Sequence, residues 1–271
     1  AKPMQLINTK HATRKPLKRA DGQAARGVVF YRGPSMIDGA PIVGVAVFKS
    51  ANRKTGDMVQ TYILRDDMAP VDAIRSGADS AICGGCIHRG KHDEQGALIS
   101  GTRTCYVVIG QGPTGVWKGL QADQYPHVDA AGMFAGRFVR LGTYGDPAAI
   151  PFEVWQGLLK GAAGHNGYTH QWRDCDSRFA SLCMASADDE MTREQAKALG
   201  YRTFRTRPDA ASKLQGEFVC PASEEAGKRL QCAQCKACGG TSSKARADVV
   251  ITIHGGSAVK ANAKRRDMLA A

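Results

Sequence analysis

The sequence predicts an α/β protein, a (β/α) barrel-like parallel sheet preceded by a small N-terminal antiparallel β element. Three observations carry this reading. Short β-branched runs separated by turn residues open the chain, strand and helix patterns alternate from about residue 80, and the 271 residues, 43% hydrophobic, suffice for one large core or two small ones.

Taken in order, residues 1–26 form a basic arm, and eight Lys and Arg between residues 2 and 32 face a single acid, Asp21. Residues 27–79 give the small β element, with strands at 27–31, 42–48 and 58–64 parted by turn-rich pieces around Gly33-Pro34 and Asn52–Asp57. Residues 80–256 form the barrel-like metal-binding domain. There, 105–109 and 138–141 read as strands, and 151–159 as an amphipathic helix with Pro151 at its start. Strands follow at 167–171 and 182–185, then a helix at 189–199 that opens on acids and stops at Gly200. Strands at 201–205, 217–219 and 249–253, with a helix at 223–230, complete the series. Residues 257–271 form a second basic arm carrying Lys260, Lys264, Arg265 and Arg266.

Thirty-seven Lys and Arg against 25 Asp and Glu leave a net charge of +12, which suits nucleic acid bound through the basic arms. Solvated tails that keep the protein soluble account for the same residues. No apolar run approaches the ~18–20 residues of a membrane span, and Ala1-Lys2-Pro3-Met4 opens no signal peptide, so a cytoplasmic protein without a membrane partner is expected. In a reducing compartment, clustered cysteines point to metal or catalysis instead of disulfides.

Seven of the nine cysteines fall into a set of three, Cys83, Cys86 and Cys105, and a set of four, Cys220, Cys232, Cys235 and Cys238. Three thiolates leave a bound centre one open position, while four close it. The run Cys232-Ala-Gln-Cys235-Lys-Ala-Cys238, with Cys220-Pro221 as the remaining member, matches ferredoxin-like 4Fe-4S loops better than the paired knuckles of structural zinc. In the set of three, Gly84 and Gly85 let the backbone fold around a metal, and His88 or His92 can complete a Cys3His zinc site as the alternative. Cys175 and Cys183 lack partners at ligand spacing and read as core residues.

Downstream, the segment Val139–Pro151 carries Gly145-Asp146-Pro147, a strand ending in a Gly-acid-Pro turn. This resembles radical S-adenosylmethionine enzymes, in which such a turn binds the amino group of the cofactor's methionine. The resemblance implies a three-Cys 4Fe-4S cluster with an open iron, a second C-terminal cluster, and cofactor contacts from Gly145, Asp146 and Ser186. The order of C-x-x-C, Cys105-Tyr106, strand-acid and Tyr168-Thr169 is more closely similar to a phage family of gene-product-88-like proteins, over roughly residues 80–255. Two departures stand out. The triplet is spread over 23 positions instead of one loop, and Asp146 stands where the radical enzymes carry Glu.

Among other signals, Gly110-Gln-Gly112-Pro-Thr-Gly115 matches a dinucleotide-binding fingerprint, interrupted by Pro113. His170, at an expected strand end, is a candidate acid or base alongside Asp146, and His254 occupies a similar place. Arg202, Arg205 and Arg207 alternate with Thr and Phe, as on a solvated basic strand face or a nucleic-acid surface. Trp117 and Trp155 read as core. The leading expectation is an iron-sulfur enzyme of radical type, of phage or mobile-element origin, acting on or near nucleic acid. The alternative is a non-enzymatic nucleic-acid-binding protein with structural zinc or iron-sulfur sites.

Overall fold

Two five-stranded sheets, rather than one closed ring, carry the fold in the computed structural model, which describes residues 17–19, 21–50, 52–208, 213–227, 229–253 and 258–259. In the first sheet β1 (Gly27–Pro34), β2 (Pro41–Val47) and β3 (Met58–Arg65) pair antiparallel, as their alternation of β-branched runs and turns predicts. The sheet then continues in parallel. β3 pairs with β4 (Phe138–Tyr144), and β4 with β5 (Gly164–Asn166), so the ladder crosses the expected division at residue 79. The connection from β3 to β4 holds three helices, α1 (Pro70–Ser76), α2 (Ser80–Cys83) and α3 (Gly112–Gln121), and α4 (Phe152–Leu158) links β4 to β5.

The second sheet is all parallel. Its strands are β6 (Tyr168–Thr169), β7 (Met184–Ala187), β8 (Thr203–Arg207), β9 (Glu217–Val219) and β10 (Asp248–Thr252), in the spatial order β6-β7-β8-β10-β9. Helix α5 (Glu190–Ala198) joins β7 to β8, capped by Asp189, whose carboxylate accepts from the Thr192 N–H. The single turn α6 (Cys232–Cys235) lies between β9 and β10. Only Gly167 separates β5 from β6, and a Cβ at that position would stand 2.8 Å from the Cys183 sulfur, so the switch between sheets requires glycine. Among the described residues no ladder joins the two sheets, so the parallel strands form one mixed and one all-parallel sheet and no closed barrel.

The larger core packs on the first sheet around Trp155, with Phe30 at 5.2 Å, Ile63, Leu141 and Leu158. Cys183 belongs to this core, and the half-buried Cys175 packs against it, as expected. A smaller core of Met184, Val249 and Ile251 lies in the second sheet and includes Cys220.

Several expectations are corrected. Residues 105–109 form no strand, because Cys105 is carried by an irregular segment whose N–H groups pair with a neighbouring loop. Residues 223–227 make a bend and turns where a helix over 223–230 is expected. Gly112 and Gly115 lie inside α3 with no strand before them, which removes the dinucleotide fingerprint.

Arg202, Arg205 and Arg207 point inward, and neither the solvated face nor the nucleic-acid surface survives. Arg205 grips Glu217 with two bonds of 2.6 Å, Arg207 pairs with Glu225, and Arg202 donates to the carbonyls of Ala237, Gly240 and Ala247. His254 and most of both basic arms lie outside the described residues. No described helix is long and apolar enough to cross a membrane.

Candidate metal centres and the cavity between them

The first cysteine set is assembled by a loop that leaves and returns. Cys83 ends α2, and Gly84, at φ +51°, reverses the chain so that the Cys86 N–H reaches the Cys83 carbonyl at 3.2 Å. Arg89 braces the turn by donating to the Asp79 carboxylate at 2.7 Å and to the carbonyls of Gly77 and Gly84. The excursion from 87 to 104 then folds back, and the N–H groups of Thr104 and Cys105 both donate to the His88 carbonyl, at 3.2 and 3.0 Å. The spread of the triplet along the chain is thus closed in space. His92 takes no part, since its Nε2 lies 2.9 Å from the Ile74 carbonyl beside α1.

The second set is docked on the first sheet. Cys220 follows β9 and donates its N–H to Val250 at 2.9 Å. Cys232 and Ala233 donate to the carbonyls of Lys54 and Thr55 in the β2–β3 connection, and Gln231 Nε2 donates to Arg53. Lys236, at φ +60°, turns the chain towards Cys238, whose carbonyl accepts from Gly167 at 3.1 Å.

All seven thiols line one cavity of about 430 Å³ at the C-terminal ends of β4, β6, β7 and β8, the end at which parallel sheets place their sites. All nine cysteines are free thiols. Burial is the main force pushing up the thiols of Cys83, Cys105, Cys220 and Cys232, and it carries Cys86 and Cys238 to about 12. Like charge from sibling thiols adds to it at Cys83 and Cys238. Such thiols stay protonated unless a cation stabilises them as thiolates, which is the donor chemistry of a metal centre.

Gly145, Asp146, His170 and Ser186 line the same cavity. Gly145 has φ +83°, and a Cβ there would meet the Ile63 Cβ at 2.7 Å. Asp146 is buried, and its carboxylate accepts from the N–H groups of Ala148 at 3.0 Å and His170 at 2.8 Å. Burial pushes this carboxyl up, against the opposing pull of those bonds. Asp146 therefore fastens the end of β4 to the end of β6, and its N–H, donating to Ile82 at 2.6 Å, ties in α2. Ser186 lies on β7, its carbonyl accepting from Trp172 Nε1. His170 Nε2 stands 3.9 Å from both the Cys86 sulfur and the Asp188 carboxylate.

Three participants were not anticipated. Arg140, buried in β4, lines the cavity and donates to the Tyr106 hydroxyl at 3.2 Å, its guanidinium 5.5 Å from the Tyr168 ring and its Nε without a hydrogen-bond partner. Its sequence signal was a charge between Val139 and Leu141 in an apolar strand. Gln171 clamps the Cys83–Gly85 turn, and Asp188 lies between His88 and His170.

Among the described residues, the three ligand-type groups gathered within 4.8 Å of one another are His88, His170 and Asp188, and no trio of thiols meets that spacing. A tetrahedral zinc with Zn–S bonds of ~2.3 Å holds its sulfurs only about 3.8 Å apart. Comparison with protein families, with curated proteins and with solved structures gave no match.

Proposed function

We propose an iron-sulfur protein with two centres facing one cavity, in which Cys83, Cys86 and Cys105 hold an open cluster and Cys220, Cys232, Cys235 and Cys238 a closed one. The observation that carries the proposal is that both sets line the same cavity, whose size falls in the ~300–1,000 Å³ range of small-molecule sites. The Cys232-Ala-Gln-Cys235-Lys-Ala-Cys238 run, with Cys220-Pro221, supports a polynuclear cluster over the paired knuckles of structural zinc. A cluster held by three cysteines supplies redox chemistry at an iron that a small molecule can reach, whereas a four-Cys cluster serves structure or electron transfer.

The chain's own residues supply the surroundings. Gly145, Asp146 and Ser186 border the cavity and form the cradle for S-adenosylmethionine in the radical-enzyme reading. Asp146 holds the His170 main chain in place at the cavity wall. Arg140 offsets negative charge in the cavity. The test uses anaerobically purified protein, reduced and given S-adenosylmethionine. Release of 5′-deoxyadenosine that disappears in Cys83→Ser is expected, and no release from protein with a loaded open cluster would reject the enzymatic reading.

Nucleic acid is the proposed macromolecular partner, on the strength of the +12 charge and the basic termini. Arg202, Arg205 and Arg207 add nothing to this, because their contacts are internal. Binding that weakens steeply with salt is expected, and salt-independent or absent binding would reject the partner.

A further inference from the structure

His88, His170 and Asp188 come from three separate segments and meet at the cavity wall. His88 follows the Cys86 turn, His170 follows β6, and Asp188 follows β7, the neighbouring parallel strand. Asp188 lies between the rings, with Oδ1 3.7 Å from His88 Nε2 and Oδ2 3.9 Å from His170 Nε2. Those separations are too long for hydrogen bonds. Ligands at ~2.0–2.2 Å from a common ion stand about 2.8–3.6 Å apart, so the three groups need close by only a few tenths of an ångström to share one.

Each group is held from behind. His88 Nδ1 lies 2.8 Å from Thr104 Oγ1, the outer contact that orients a ligating imidazole and leaves Nε2 facing the acid. The His170 N–H is bound to Asp146, and the Asp188 N–H donates to Thr192 Oγ1 at 3.0 Å. The three side chains are only 14–22% exposed, so the group is neither a solvated surface patch nor sealed from the cavity.

We propose that His88, His170 and Asp188 bind one divalent transition-metal ion, leaving coordination positions open to the cavity. Two imidazoles and one carboxylate form the donor set of mononuclear Fe(II) sites with open positions, and imidazole favours Fe²⁺, Co²⁺ or Zn²⁺ over Mg²⁺ and Ca²⁺. Because Cys86 lies 3.9 Å from His170, the ion adjoins the three-Cys set. The inference does not depend on what the thiols hold.

The experiment titrates Co²⁺ into the full chain, purified anaerobically with its cysteine centres as isolated, following cobalt absorption and the melting temperature. About one added equivalent is expected to bind and raise the melting temperature, with Mg²⁺ unable to compete. Affinity should fall at least about tenfold in His88→Ala, His170→Ala and Asp188→Asn, and stay unchanged in His92→Ala. Iron and sulfide contents, measured on the same samples, report the thiol centres separately. Absence of a cobalt response in wild-type protein, an equal response in all the His and Asp variants, or displacement by Mg²⁺ would each overturn the site, whatever the iron analysis shows. Should an alanine variant fail to fold, the isosteric Asp188→Asn decides through the loss of the melting shift.

Discussion

The Gln171 side chain wraps the Gly84 peptide from both sides: Nε2 donates to the Cys83 carbonyl at 3.0 Å, and Oε1 accepts from the Gly85 N–H at 3.2 Å. A Cβ on Gly84 would lie 2.2 Å from that Oε1, and Gly84 also has φ +51°. Gln171 comes from the segment after β6, so the second sheet sets the shape of a turn belonging to the first. Gly84→Ala is therefore expected to destabilise the fold, by more than the ~1 kcal/mol that a strain-free glycine replacement would add to stability. It should also deplete metal from the three-Cys set while the four-Cys set stays loaded. Thermal melting with iron analysis checks this, and an unchanged melting temperature with full iron would refute the clamp.

The Arg205–Glu217 pair predicts a defined acid limb of stability. Burial alone would raise the Glu217 carboxyl, but the bonds from Arg205 and the Leu214 N–H, with the charges of Arg205 and Arg193, hold it below the usual carboxylate range. The pair's contribution is thus complete above the unfolded carboxyl value of ~4.3 and is lost as pH falls through the lower folded value. Glu217→Gln leaves a buried guanidinium without its counter-charge and should cost about 3–5 kcal/mol at neutral pH. Melting curves from pH 3 to 7 should show the wild-type advantage shrinking towards acid, and a constant gap would contradict the assignment.

Arg140 predicts a change in redox potential without loss of the proposed clusters. Its guanidinium lies in the cavity with no ion pair among the described residues, beside the Tyr106 hydroxyl and the Tyr168 ring. A nearby cation favours the more negative, reduced state of an anionic centre. Arg140→Gln should lower a midpoint potential by ~60 mV or more, the one-electron equivalent of a tenfold change in equilibrium constant. Potentiometric titration reads it, and an unmoved potential in both centres would exclude the role.

The parts of this molecule set by local pattern could be read in its sequence. β1 to β3 follow from β-branched runs and Gly-rich turns, and α5 from its Asp189 cap and Gly200 stop. The spacing of the cysteines singled out the seven thiols that line the cavity. What escaped depends on contacts between distant segments. Cys105 looked like the start of a strand because Tyr-Val-Val-Ile is β-prone, yet its N–H is taken by His88. Arg205 looked solvated because the buried carboxylate that pairs with it belongs to β9, twelve positions away. Asp188 looked like an ordinary acid before a helix, since nothing local announces that two histidines will close around it.

The central claim is that two thiol sets hold iron-sulfur clusters on one cavity, and iron, sulfide and zinc analysis of the anaerobically purified chain tests it most directly. The account predicts brown protein with about eight iron and eight sulfide, halved by Cys83→Ser and, independently, by Cys235→Ser. Colourless protein carrying two zinc ions and no sulfide would contradict it.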